Sequence, residues 1–391
     1  MDLIARLAPW ALARPRVLVV DGPGTNELRW DLEAELDRRG WVLAKSPART
    51  DILLTVGRLG DELSAAADVL WSQVPTPCHR TSLTAGPVAS QLDTAAEALM
   101  SAGAWARDES NHDPVVLLAV RRSTGAHADH GADHGGHGED HGADHGADHA
   151  DHGGHADHGG HGGHGGHGGH GGDGGHGGHG GDGGHGGHGG DVAGLPMAKT
   201  SADRDGLTLD ALTVRLGPVL PGWPTGLVLR SSMQGDVLTD VNLSWADAAP
   251  PLDAGTEPAV RALDALSRFL IVAGWPAAAR EAREARDARR SSPDQAEALK
   301  LVNRLTRKVS RSRTLAWSVR GIAPTLGGGD VLGRVRRWCD TAEHGAPAHA
   351  VTLEELAPAL EGMELAAARL AVASVELRHA PVPAGGGQGH A

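Results

Sequence analysis

The residues best suited to chemistry are histidines. Eighteen of them lie between His127 and His188, namely His127, His130, His134, His137, His141, His145, His149, His152, His155, His158, His161, His164, His167, His170, His176, His179, His185 and His188. An ADHG-like register comes first, and an HGG register of period three follows from His152, with Asp173 and Asp182 replacing His. Neutral imidazole is a ligand for Ni, Zn, Cu and Co, so a chain bending at glycine brings several rings around one ion. Interleaved carboxylates lower the cost of holding several dications close together. The tract therefore predicts binding of a divalent transition metal, Ni or Zn, with release on acidification as the rings protonate near pH 6.5. It does not predict selectivity, because a floppy ligand set imposes no geometry. A solubilising spacer grown by repeat expansion would have the same composition.

Glycine at this density makes helix and strand too costly in backbone entropy, and the segment 125–191 reads as a disordered linker. Its period of three lacks proline, so a collagen helix is not indicated. As a flexible coil, roughly 64 residues span about 45 Å.

The tract also distorts the charge balance. The chain of 391 residues carries 36 Lys and Arg against 49 Asp and Glu, a net charge of -13. Ten of the acids fall between His127 and Gly190, where there is no Lys or Arg, so the remainder carries about -3. Global charge thus gives no case for a nucleic-acid partner. No apolar run is long enough for a membrane span. The N-terminal MDLIARLAPWALARPR lacks the features of a signal peptide, so the expected place is the cytoplasm. Two cysteines, Cys78 and Cys339, cannot form a disulfide framework or supply four ligands to an iron–sulfur cluster.

The flanking elements have readable patterns. RVLVVD from Arg16, WVLAK, DILLTVG and DPVVLLAV from Asp113 read as strands. Between them ELRWDLEAELDRRG, with Leu28, Leu32 and Leu36 at helical spacing, the segment 61–73 and the segment 92–102 read as helices. Alternation of strand and helix predicts an α/β domain over 1–124 with an open, partly parallel sheet. Alternating apolar residues punctuated by Gly and Pro predict an antiparallel β-ribbon over 192–248, and helical periodicity predicts a bundle over 249–380. Ribbon and bundle together form an α+β module, and 381–391 reads as a disordered tail.

Smaller constellations are weaker. Gly22, Pro23, Gly24, Thr25 and Asn26, between strand and helix, lack the third glycine of a dinucleotide fingerprint and the lysine of a P-loop, and read as a tight turn capped by Thr25 or Asn26, with a phosphate cradle the alternative. Cys78, His79 and His112 suggest a nucleophile or metal pair, and Cys339 with His344 a fragment of a zinc site. Lys300, Arg304, Arg307, Lys308, Arg311 and Arg313 form a basic run suited to an acidic partner or to a solvated helix face. The Arg–Glu alternation of 280–290 reads as local helix support.

Two stretches carry a family resemblance. SPARTDILLTVGRLGDELSAAADVLWSQVPTP resembles the cluster-carrying small subunit shared by respiratory complex I and nickel–iron hydrogenases, where a strand "ADVLLVTG" precedes a helix ending in "QMPEP". LTVRLGPVLPGWPTGLVLRSSMQGDVL resembles the N-terminal ribbon of the matching large subunit, where a "GP" turn connects strands such as "LRLVLELDGEVV". The matches cover a quarter to a third of the chain, in an order that implies a fusion with the His segment at the joint. The resemblance implies complex I-like or hydrogenase-like partner subunits, some membrane-embedded, and a place at the inner face of the plasma membrane. It does not imply inherited electron transfer. The cysteine-bearing loop has become Gly22–Asn26, and Cys78 falls on no family ligand. Val219, Leu220, Trp223 and Pro224 occupy the ribbon where quinone-binding histidines would stand. Tyr is absent from the chain, as are the paired CxxC motifs of a nickel–iron centre. The reading is a non-catalytic accessory or scaffold subunit related to NADH:quinone oxidoreductase and hydrogenase complexes; the alternative is a nickel or zinc storage protein or metallochaperone.

Overall fold

The computed structural model describes residues 12–101, 199–202, 208–247, 255–291, 294–346 and 349–378. The eighteen tract histidines, His112, the expected strand from Asp113 and the tail 381–391 lie outside the described residues. Met1–Thr124 and Ala198–Ala391 belong to one compact unit, and Gly125–Met197 to a second.

Within the first unit, β1 (Arg16–Asp21), β2 (Val42–Leu43), β3 (Ile52–Val56) and β4 (His79–Leu83) form a wholly parallel sheet in the order β2-β1-β3-β4. Every residue of β3 is buried, as expected of an apolar strand covered on both faces. Helix α1 (Asn26–Arg39) covers one face with Leu32 and Leu36, beside Leu92 and Leu99 of α3 (Val88–Met100). On the opposite face Leu18 and Leu53 pack with Val74, Cys78 and Leu70 of α2 (Asp61–Ser72). The expected strand WVLAK is reduced to two residues, so β1 has a hydrogen-bonded neighbour on that side only at its start. In the cysteine–histidine stretch, Cys78 lies just before β4 and His79 begins it.

The second part opens with an antiparallel sheet, β5 (Lys199–Ala202), β6 (Thr208–Leu216), β7 (Leu227–Gln234) and β8 (Val237–Trp245), in sequential order. A bulge between Arg230 and Ser232 interrupts the β7–β8 ladder. Helices α4 (Pro258–Val272), α5 (Pro276–Ser291), α6 (Gln295–Ser310), α7 (Arg313–Val319) and α8 (Val331–His344) build the bundle. Its core contains Leu263, Leu266, Leu270, Val302 and Leu305, and Phe269, the one Phe of the chain, meets Trp338 edge-on at 6.3 Å.

The sequence pattern predicts one long C-terminal helix. The structure divides it into α9 (Leu353–Leu360) and α10 (Leu365–Ala373), followed by β10 (Glu376–Leu377), which pairs with β9 (Ala350–Val351). The intervening backbone is claimed by the sheet. Gly362 N donates to Leu238 O and Leu238 N to Met363 O, both at 2.8 Å. The Glu361 carboxylate accepts from Asp240 N and Val241 N. Sheet hydrogen bonds replace helical ones here, and apolar spacing is blind to that exchange. Among the described residues, no helix is long and apolar enough to cross a membrane.

Candidate functional site

The chemical centre of the folded unit is a seam between α1, α4 and α5. On α1, Leu28, Leu32 and Leu36 face the sheet while Arg29, Glu33 and Asp37, four residues apart, share another face. Arginines 283, 286 and 290 on α5 recur at spacings of three and four and meet that face. Arg283 Nε and Nη2 grip Asp37 at 2.8 and 2.9 Å. Arg286, fully buried, reaches Glu33 at 2.6 Å and Asp264 of α4 at 2.9 Å. Arg290 pairs with Glu27 and with Asp31.

Asp264 is the hub. Arg29 donates to both its oxygens, at 3.2 and 2.8 Å, and Trp30 Nε1 donates at 2.8 Å. The Trp30 ring lies beside the guanidinium carbons of Arg286 and Arg290, at 5.5 and 5.0 Å from its centroid, so a buried aromatic face helps to hold the cations. Burial alone opposes ionisation of Asp264, but the charges of Arg29, Arg268 and Arg286 and the hydrogen bond from Arg29 outweigh it. They hold its carboxyl well below the usual carboxylate range. Glu33 is lowered for the same reason: burial and Asp264 oppose ionisation, and Arg29 and Arg286 prevail. The seam is therefore a network of ions rather than of neutral acids.

Next to this network lies a cavity of about 340 Å³. Asp21, Arg29 and Glu33 contribute its polar floor, and Leu70, Val219, Leu220 and Ile271 contribute apolar wall. It occupies the side of β1 where β2 has ended, and the turn 218–225 covers it. Thr225 Oγ1 ties that turn to Asp21 Oδ2 at 2.6 Å, and Trp223 Nε1 donates to Leu227 O at 2.8 Å. Gly222 is obligatory here: its φ is +70°, and an added Cβ would lie 2.5 Å from the Arg268 carbonyl oxygen. A second tie crosses the same junction. Asp247, just after β8, accepts from Glu62 N and Leu63 N at 2.9 and 3.0 Å, capping α2 from a distant part of the chain.

The sequence candidates are placed differently. In the Gly22–Asn26 loop, Thr25 occupies the N-cap position but makes no side-chain cap; its hydroxyl donates back to Gly22 O at 2.8 Å. Its methyl fills the space over Gly57, and a Cβ on Gly22 would collide with Arg58 O. The loop is thus packed against its neighbours as a turn. Cys78 is buried against Leu18, Leu53 and Val74, whereas the partly buried His79 opens β4 and has its pKa lowered by burial. Cys339 faces the bundle core, where burial pushes its thiol up to about 12, while His344 on the same helix is exposed with Nδ1 3.1 Å from Asp340 O. The two cysteines occupy separate hydrophobic clusters, so neither the number nor the placement of thiols fits the four-thiolate cluster of the resembled family. Among the described residues, no group of three or more His, Cys, Asp or Glu is arranged to hold a metal ion.

Of the ribbon positions, Val219, Leu220 and Trp223 line the cavity. In the Arg–Glu alternation of α5, Asp287 gives local support to Arg286 at 2.9 Å and to Arg290 at (i, i+3), 3.8 Å, while Arg283 and Arg286 also reach across the seam to Asp37 and Glu33. Asp264 escaped the sequence reading altogether, although an acid within the apolar run VRALDALSRFLIV is a usable signal. A charge on a buried helical stripe requires a partner.

Comparison with protein-family profiles, curated proteins and solved structures finds no match for this chain.

Proposed function

We propose that the chain is a non-catalytic accessory or scaffold subunit of a complex I-like NADH:quinone oxidoreductase or hydrogenase-like assembly, working at the cytoplasmic face of the membrane. The observation that carries this reading is the junction itself. The ribbon turn containing the "GP" stretch rests on the strand-end side of the parallel sheet, tied by Thr225 to Asp21 and by Asp247 to α2. The two family-like stretches are thereby held against each other in one folded unit, as a fused pair of subunit-like modules requires. The apolar cavity lining at Val219, Leu220 and Trp223 and the packed Gly22–Asn26 loop support a structural rather than an electron-transferring role.

The test is affinity purification of the chain at native expression level from its own host. The scaffold reading expects complex I-like or hydrogenase-like subunits to accompany it, whereas a solitary protein sinks the reading. The eighteen histidines favour a second reading as a nickel or zinc storage protein or metallochaperone. Deleting residues 127–190 separates the two. Loss of metal-dependent growth or hydrogenase maturation supports the second, and an assembly that persists without the tract supports the first.

A further inference from the structure

We propose that the cavity at the seam binds a small amphiphilic monocarboxylate, an aliphatic or aromatic acid whose apolar body lies against Leu70, Leu220 and Ile271 and whose carboxylate pairs with Arg268 and Lys45. The cavity's volume of about 340 Å³ falls in the range of small-molecule sites, and its wall is mainly apolar with few polar groups.

The sign of the head group follows from which charges are already committed. Glu33 accepts from Arg29 at 2.9 Å and from Arg286 at 2.6 Å. Asp264, behind the floor, accepts from Arg29, Trp30 and Arg286. Asp21 accepts from Thr225 at 2.6 Å. The cations around the cavity are less occupied. Among the described residues, Arg268 has a single ion pair, with Asp264 Oδ2 at 3.5 Å, an oxygen that Arg29 already holds at 2.8 Å. Glu376, the other carboxyl in the field of Arg268, is driven by burial toward its neutral form. Lys45 is exposed at the rim and forms no ion pair among the described residues. Arg29 lines the same cavity, and its buried Nε has no hydrogen-bond acceptor among the described residues, with Asp21 Oδ2 at 3.5 Å.

The lining thus contains Arg29, Lys45 and Arg268 against Asp21 and Glu33, an excess of one positive charge. A cationic head group would add to that excess. A neutral one would leave Arg268 without a strong partner beside an apolar wall. A carboxylate supplies the missing acceptor and charge together.

The experiment uses the full chain and titrates decanoate and, separately, decanamide, with calorimetry and Trp fluorescence as readouts. One saturable decanoate site per chain is expected, with the amide at least about tenfold weaker, the scale of one charge-assisted hydrogen bond. Arg268→Gln should remove that preference and leave the amide unchanged. Lys45→Gln, at an exposed position that does not threaten folding, should weaken decanoate several-fold. Ile271→Trp should block both probes. Absence of saturable decanoate binding, equal affinity for acid and amide, or binding insensitive to Ile271→Trp and to both charge variants would overturn the proposal.

Discussion

Helices α5 and α6 are consecutive and both rich in cations, yet they use them in opposite ways. Helix α5 carries five arginines among three acids of its own, and α6 carries four cations and a single acid. By local pairing rules α5 should be self-sufficient and α6 should seek partners. Instead Arg283 and Arg286 of α5 are buried against Asp37, Glu33 and Asp264, while Lys300, Arg304 and Arg307 of α6 face outward. What separates them is the facing surface: α5 meets the acidic stripe of α1, and the buried stripe of α6, with Val302, Leu305 and Val309, packs into the bundle core. A charge is recruited by the surface it meets, not by its sequence neighbours.

The strongest way to break this contrast is Arg286→Ala. Removing one member of a buried, hydrogen-bonded ion network leaves Glu33 and Asp264 undercompensated, and the expected loss is about 3–5 kcal/mol in urea unfolding. Arg304→Ala on α6 should leave the unfolding midpoint within the scatter of ordinary surface substitutions. Equal effects would show that the seam is not the stabilising use of these arginines.

Acid sharpens the same contrast. The folded pKa values of Asp264 and Glu33 are depressed, so their stabilisation is complete above the unfolded carboxylate values near pH 4 and is lost as pH falls through the folded values. Unfolding measured from pH 6 down to pH 2 should show stability falling below about pH 4, with a shallower fall in Arg286→Ala. An unchanged slope in the variant would place the acid sensitivity elsewhere.

Asp247→Ala tests the tie to backbone at the junction. It removes the remote cap of α2 and should cost about 1 kcal/mol in urea unfolding, typical of a lost N-cap. The smallest effect is expected at the rim of the seam. Arg290→Ala, whose partners Glu27 and Asp31 are largely exposed, should cost at most about 1 kcal/mol and should respond to salt, unlike the buried pairs.

These contrasts also mark where sequence reading ends. Strands β1 and β3 and helices α1, α2, α4, α5 and α6 follow from apolar periodicity, because burial of one face imposes a pattern along the chain. Their grouping into a parallel sheet, an antiparallel ribbon and a bundle was legible for the same reason. The candidate site was not. Asp264 and Arg29 lie 235 positions apart, and nothing in either neighbourhood names the other. At the Gly22–Asn26 loop the turn was legible but the fate of Thr25 was not, because glycine spacing records backbone freedom and not what fills the space: Thr25 makes no side-chain cap and packs against Gly57.

By itself the sequence determined the histidine tract, the scarcity of thiols and the locations of most regular elements, all of which depend on composition or on contacts within a few residues. Only the tertiary structure decided which arginines are buried, where the long C-terminal helix breaks and that a cavity opens beside β1. Those outcomes depend on surfaces hundreds of residues apart being brought together, and the free energy of a buried charge is set by the partners it meets there.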